Sequence, residues 1–215
     1  MSRSTIFMHP ASPNSQAVVM AAIHAGRDFR LEIIDLFAGE QNDEAFVALN
    51  PNCMVPVLRE GDFILWEANA IAQYLAASSR LDSFWPHDKR ARADIARWQF
   101  WSLAHWTPAL QPFVFENLFK GLKGLGSPSE LVLREARVKF DRFAGVLDRR
   151  LGAQGWLSGP SATLSDVFVA SYLVYAEPAQ IPLQGFANIQ RWYRSFTELP
   201  SWKAMTERLQ AIGAK

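Results

Sequence analysis

Asn50-Pro51-Asn52-Cys53-Met54-Val55-Pro56-Val57-Leu58-Arg59-Glu60-Gly61-Asp62-Phe63-Ile64-Leu65-Trp66-Glu67-Ala68-Asn69-Ala70-Ile71-Ala72-Gln73-Tyr74-Leu75 is the stretch on which the reading of the fold turns. Val55–Leu58 and Phe63–Trp66 are short apolar runs flanking Glu60-Gly61-Asp62, which predicts a β-hairpin. Pro56 opens its strand, where a missing N–H is tolerated. Ala68 to Ala77 reads as a helix, and Asn50-Pro51 stops a short helix over Asp43 to Leu49. Toward the N-terminus, Ala38 to Asn42 is a polar loop. Phe29, Leu31, Ile33 and Ile34 form a strand, Ala17 to Ala25 a helix ended by Gly26, and Thr5 to Met8 a buried strand ended by His9-Pro10. The order is strand-helix-strand-helix-strand-strand-helix in about 78 residues, beginning with a parallel strand-helix-strand unit.

Downstream of Leu75 the pattern changes. Ser78 to Trp85 with Pro86 reads as an interdomain linker, and strand signals stop at Lys89. A long helix is expected from Lys89 to Phe119, bent at Pro108 and Pro112, followed by a loop at Gly121 to Ser129. A second helix spans Glu130 to Leu151. Thr163-Leu164-Ser165-Asp166 has the form of a capping box, a hydroxyl with an acid three positions later, opening a helix to Tyr175. Helices at Ile189 to Phe196 and Trp202 to Ile212 follow. The expected domains are therefore 1–78, a linker at 79–88, and an all-helical 89–215.

Composition narrows the function. In 215 residues, 49% are hydrophobic and 20% charged, with net charge +1, so the chain can bury a core and carries no basic footprint for nucleic acid. One cysteine, Cys53, excludes an intramolecular disulfide and multi-thiolate zinc sites. No His, Asp and Glu grouping has metal-ligand spacing, so no metal is expected. Residues 1–5 lack the apolar core of a signal peptide, and no run approaches the roughly 20 apolar residues of a membrane span. The expected location is the cytoplasm.

Three motifs in order carry a resemblance: Asn50-Pro51 with Val55-Pro56-Val57; Trp66-Glu67-Ala68-Asn69-Ala70-Ile71 with Tyr74-Leu75; and Thr163-Leu164-Ser165-Asp166. The chain resembles the cytosolic glutathione S-transferases over essentially its whole length. Trp106-Thr107-Pro108 with Phe113-Val114-Phe115-Glu116 looks like the phi type. Ser12-Pro13-Asn14-Ser15 fits the serine-type phi and theta classes. The resemblance implies an α/β thioredoxin-like N-terminal domain, an all-α C-terminal helical bundle, and conjugation of the glutathione thiolate to hydrophobic electrophiles in detoxification. It also implies a homodimer, with glutathione as co-substrate. Two alternatives are a non-catalytic binding module of the same fold and a glutathione-dependent peroxidase or disulfide reductase.

The resemblance also assigns residues. Ser12 is the catalytic candidate, with Ser15 as fallback. A free cysteinyl thiol has a pKa of about 8.5, and a hydroxyl donating to sulfur beside a helix N-terminus favours the thiolate. Ser is equally a preferred helix cap. Glutathione-binding candidates are Ser12, Gln41, Asn42, Met54, Val55, Pro56, Glu67 and Ala68. Pro56 is the expected cis-proline, and Glu67 and Ala68 hold the γ-glutamyl end. Ala68 stands where the family has a serine. Gln41, Asn42 and Met54 stand where basic or polar residues are usual, so cationic contacts to the glycyl carboxylate are thin. The hydrophobic substrate pocket is expected from Ala11, Pro13, His105, Phe115 and Phe119. Thr163 and Asp166 are expected to be structural, and Cys53 a packing residue.

Overall fold

The computed structural model describes residues 4–77 and 84–213, with Gly213 described in its backbone only. Residues 79–83 of the expected linker lie outside the described residues. By contacts the chain divides into two units, Met1–Trp85 with Glu198–Lys215, and Pro86–Thr197.

The first unit contains β1 (Ser4–Met8), α1 (Pro13–His24), β2 (Phe29–Ile33), a 3₁₀ turn (Glu40–Asn42) and α2 (Glu44–Val47). It continues through β3 (Val57–Glu60), β4 (Phe63–Trp66) and α3 (Ala68–Ala77). The sheet order is β2-β1-β3-β4, with β1–β2 parallel and the other two pairings antiparallel. Every residue of β1 is buried, because layers pack on both faces of the sheet. Strand alternation sends Phe7 to one face, where it clusters with Ile34, Phe46 and Val57, and Ile6 and Met8 to the other. Helices α1 and α3 pack against each other, burying Val18, Ala21, Ala22, Ile71, Ala72 and Leu75.

Glu60 ties this unit together. It accepts a hydrogen bond from Ser4 Oγ, one of 2.5 Å from Arg27 Nη2, and one of 2.8 Å from Tyr74 OH, joining β1, the end of α1, β3 and α3. Burial alone would raise its pKa, but the bonds from Ser4, Tyr74 and Arg27 outweigh that and hold the carboxyl below its ordinary value.

The second unit opens with α4 (Lys89–Trp101), capped by Asp88 Oδ1, which accepts from Ala91 N at 2.8 Å. The expected bends at Pro108 and Pro112 are instead two π-helical turns, Ser102–Trp106 and Phe115–Phe119, around α5 (Thr107–Val114). Each proline lacks an N–H for the i→i−4 ladder, and the widened turns take up the mismatch without a break. The first is tied to α8 (Leu164–Ser171) by Trp106 Nε1 donating to Val169 O at 3.0 Å. Then come α6 (Lys120–Leu122), α7 (Glu130–Ala153), α8 with a 3₁₀ turn at Tyr172–Tyr175, and α9 (Ala187–Thr197).

The last helix is α10 (Pro200–Gly213). The sequence reading placed it in the all-helical half, yet it packs on α1 and groups with the first unit. Arg208 draws it there: Nη2 donates to Phe29 O at 3.1 Å, and the guanidinium lies 4.2 Å from the Phe29 ring centroid.

Candidate functional site

Ser12, the candidate for acting on a thiol, and most of the binding candidates lie in the first unit. Ser12 is the N-cap of α1, in extended conformation at φ −86° and ψ 115°, with Pro13 at the first helical position. Its Oγ accepts from Ser15 N at 3.2 Å. A serine hydroxyl has two acceptor lone pairs and one hydrogen, so accepting from the helix leaves the hydrogen to donate outward. Capping and thiol activation are therefore compatible in one half-buried residue. Ser15, the fallback, is fully buried and its Oγ faces His9 N at 3.5 Å, which removes it from contact with a ligand.

The loop before Ser12 is braced. Ser12 N donates to His9 O at 2.9 Å, Ala11 N to His9 Nδ1 at 3.1 Å, and Gln16 Nε2 to Pro10 O at 2.8 Å. Burial holds the His9 imidazole below its usual pKa, against a smaller upward pull from Asp35. A neutral ring suits the acceptor role of Nδ1. His9 braces the loop and stacks edge-on against the exposed Phe37 at 5.4 Å.

A cleft of about 300 Å³ is lined by Asn14, Asn50, Asn52, Met54, Val55, Pro56, Glu67 and Ala68. Five of the glutathione-binding candidates thus share one cavity: Met54, Val55, Pro56, Glu67 and Ala68. The Val55–Pro56 bond is cis, and β3 begins after it, at Val57. Glu67 has φ 72°, the left-handed region, at a cost of about 1–2 kcal/mol for a non-glycine residue. This conformation turns the chain abruptly from β4 into α3, whose first turn closes with Ile71 N donating to Glu67 O at 3.0 Å. A carboxylate and the free amides at the start of α3 thereby meet at one cleft wall, a pair suited to an ammonium and a carboxylate respectively. Ala68 adds no hydroxyl there.

Three cleft residues were not among the sequence candidates. Asn50 is buried: its Nδ2 donates to Met54 O at 2.7 Å and its Oδ1 accepts from Asn52 N and Nδ2 at 3.0 and 2.9 Å. It fixes the loop that presents Met54. Asn14 occupies the second position of α1, with no hydrogen bond on its amide among the described residues. Asparagine in a turn reads as turn chemistry, so sequence offered no way to separate these from ordinary turn formers.

Gln41 and Asn42 do not line the cleft. They lie on the 3₁₀ turn, where Asn42 is exposed with Nδ2 on Gly39 O at 3.2 Å. Gln41 Oε1 is buried without a partner among the described residues. Ala11 is exposed and Pro13 buried. Cys53, half-buried at φ 55°, places Sγ 3.9 Å from Pro51 O.

In the second unit, the two π turns carry the remaining candidates. His105 is exposed and stacks on Phe143 at 5.0 Å. Phe115 is exposed and Phe119 sits edge-on to Tyr175 at 5.9 Å. Most other aromatics of this region are core, as expected: Trp98, Trp106 and Phe113 are buried. Among the described residues no group of three or more His, Cys, Asp or Glu could hold a metal ion.

Comparison with known proteins places this geometry. The glutathione S-transferase N-terminal domain model matches residues 11–78, and the glutathione S-transferase C-terminal domain model matches residues 130–195. The glutathione S-transferase GstB of Escherichia coli K12 is 32% identical over 187 residues, covering 83% of this chain and 81% of its own. A glutathione S-transferase of Drosophila melanogaster is 27% identical over 202 residues, 93% of this chain and 90% of that one. The crystal structure of glutathione transferase F7 from Populus trichocarpa superposes with a TM-score of 0.87 at 25% identity, covering 96% of this chain and 99% of that one. With matches to both domain models and a 32% identical relative spanning most of its length, this chain belongs to the glutathione S-transferase family.

Proposed function

We propose that this protein is a glutathione transferase that ionises the glutathione thiol at Ser12 and adds it to apolar electrophiles. The observation that carries this reading is Ser12 itself, which caps α1 through a lone pair and keeps its hydrogen for a thiolate. Lowering a thiol pKa by about two units takes roughly 2.7 kcal/mol of preferential stabilisation of the anion. One charge-assisted hydrogen bond together with the α1 N-terminus is enough. In the cleft, Glu67 would take the ammonium of the γ-glutamyl end and the first amides of α3 its carboxylate. Exposed His105 and Phe115, with Phe119, would contact the apolar co-substrate by area more than by hydrogen bonds. Ala11 is the exposed candidate beside Ser12.

The test is Ser12→Ala. Turnover near neutral pH should fall about tenfold or more, and its rise with pH should move to the free thiol's pKa of about 8.5. Calorimetric affinity for glutathione should change little. An unchanged pH–rate profile would remove Ser12 from the chemistry.

We further propose a cytoplasmic homodimer. Apolar side chains stand exposed in each unit: Phe63, Ile64, Trp66 and Tyr74 in the first, Phe100, Leu103, Leu131 and Val138 in the second. Trp66→Glu should halve the mass seen by sedimentation equilibrium at micromolar concentration. Among the described residues no helix is long and apolar enough to cross a membrane.

A further inference from the structure

Glutathione carries two carboxylates and one ammonium, so it enters any site as a net anion. The start of α3 offers partners for one carboxylate and the ammonium. Nothing ionisable in the cleft answers the second carboxylate: Glu67 is the only charged residue among the eight that line it. The surrounding sequence deepens the mismatch. Five of the eight lining residues, Asn50, Asn52, Met54, Val55 and Pro56, belong to the stretch 31–58. That stretch holds five carboxylates, Glu32, Asp35, Glu40, Asp43 and Glu44, and no Lys, Arg or His.

Packing joins that stretch to the cleft wall, although its acids do not line the cleft itself. Val55 packs against the same small core as Leu36 and Leu49, which bracket the acidic loop, so wall and loop share one support. The next cation along the chain, Arg59, lies 5.1 Å over the Phe7 ring. It lines a separate hollow of about 380 Å³ with Glu32, Glu40 and Asp43. Met54, which does face the cleft, is 67% exposed and uncharged. With the γ-glutamyl end at Glu67 and Ala68, the lining left for the other end of the tripeptide is Asn14, Asn50, Asn52, Met54, Val55 and Pro56.

We infer that the thiol substrate this cleft selects is a γ-glutamylcysteinyl compound whose C-terminal carboxyl is masked as an ester or amide, best of all an amide bearing an amine. The inference rests on the proposed use of glutathione. A free carboxylate at that end meets a field of like charge, whereas an ester removes the repulsion and an appended ammonium reverses its sign. Asn52 and the Val55 main chain still read the peptide portion.

The experiment is calorimetric titration of the full-length protein with glutathione, its glycyl monoethyl ester, and glutathione amide-linked to spermidine. At about 0.05 M salt the ester should bind about three- to tenfold tighter than glutathione, and the spermidine amide tighter still. At about 0.5 M salt the differences should largely close. Met54→Lys should raise affinity for glutathione about threefold or more while leaving the ester unchanged. Glutathione binding as tightly as its ester, or tighter, overturns the inference while leaving the transferase reading intact. A Met54→Lys protein with the wild-type ratio of affinities overturns it too. Failure of all three compounds to bind the wild-type protein would instead remove the glutathione reading, and this inference with it.

Discussion

At the scale of single residues, the site turns on what a side chain can do twice. Ser12 was legible in the sequence as two competing roles, cap and activator, and its 3.2 Å bond from Ser15 N makes the two compatible. Ser15 could be set aside only once its burial was known, because the Pro13-Asn14-Ser15 run gives no sign of which hydroxyl faces inward. Asn14 and Asn52 escaped notice because an asparagine near proline fits a turn as well as it fits a ligand. Ala68 allows a residue-scale test. Ala68→Ser restores one hydroxyl at the start of α3, beside Glu67. A neutral hydrogen bond of about 0.5–1.5 kcal/mol should tighten glutathione up to roughly tenfold, read by calorimetry, with turnover at saturation little changed.

At the scale of elements, the strands and the capping box were readable and their burdens were not. The hairpin and the start of α3 agree with expectation because their signals are local turn chemistry, and the cis Val55–Pro56 bond agrees with what the family resemblance implied. The capping box is present, but Asp166 does more than cap. Its carboxylate accepts from Thr163 N at 2.9 Å, Leu157 N at 3.0 Å and Trp192 Nε1 at 2.9 Å, all buried. Burial pushes this carboxyl's pKa up, against the pull of those donated bonds. Leu157 and Trp192 are distant in sequence, so the motif could not announce them. Thr163→Ala should therefore cost only about 0.5–2 kcal/mol in urea unfolding. Asp166→Ala leaves three buried N–H donors unpaired, removes the Thr163 Oγ1 contact at 3.1 Å as well, and should cost about 3 kcal/mol or more. Equal losses would mean that the capping box alone accounts for the role of Asp166.

At the scale of the whole molecule, charge and connectivity decide behaviour in solution. Glu60 joins four elements of the first unit, and its carboxyl is held below the usual range. The stability it contributes is therefore present above the ordinary carboxylate pKa and drains away as pH falls through the lower, folded value. Glu60→Gln should lower stability by about 1–3 kcal/mol at neutral pH and flatten the acid limb of a thermal-melting profile. The two-part organisation was visible in the sequence as the absence of strand signals from Lys89 on. The grouping of α10 with the first unit was not, because an amphipathic helix does not name its partner. The packing of α10 on α1 and the Arg208–Phe29 contact, bridging 179 positions, show it.

That contact also bears on biosynthesis. The unit holding Ser12 and the cleft is assembled from Met1–Trp85 and Glu198–Lys215, with Pro86–Thr197 threaded between them. A ribosome emits the sheet first and its final helix last. The unit that holds Ser12 and the cleft therefore stays unfinished until α10 has been translated, and a stop codon placed before Pro200 would damage that unit while sparing the helices in the middle.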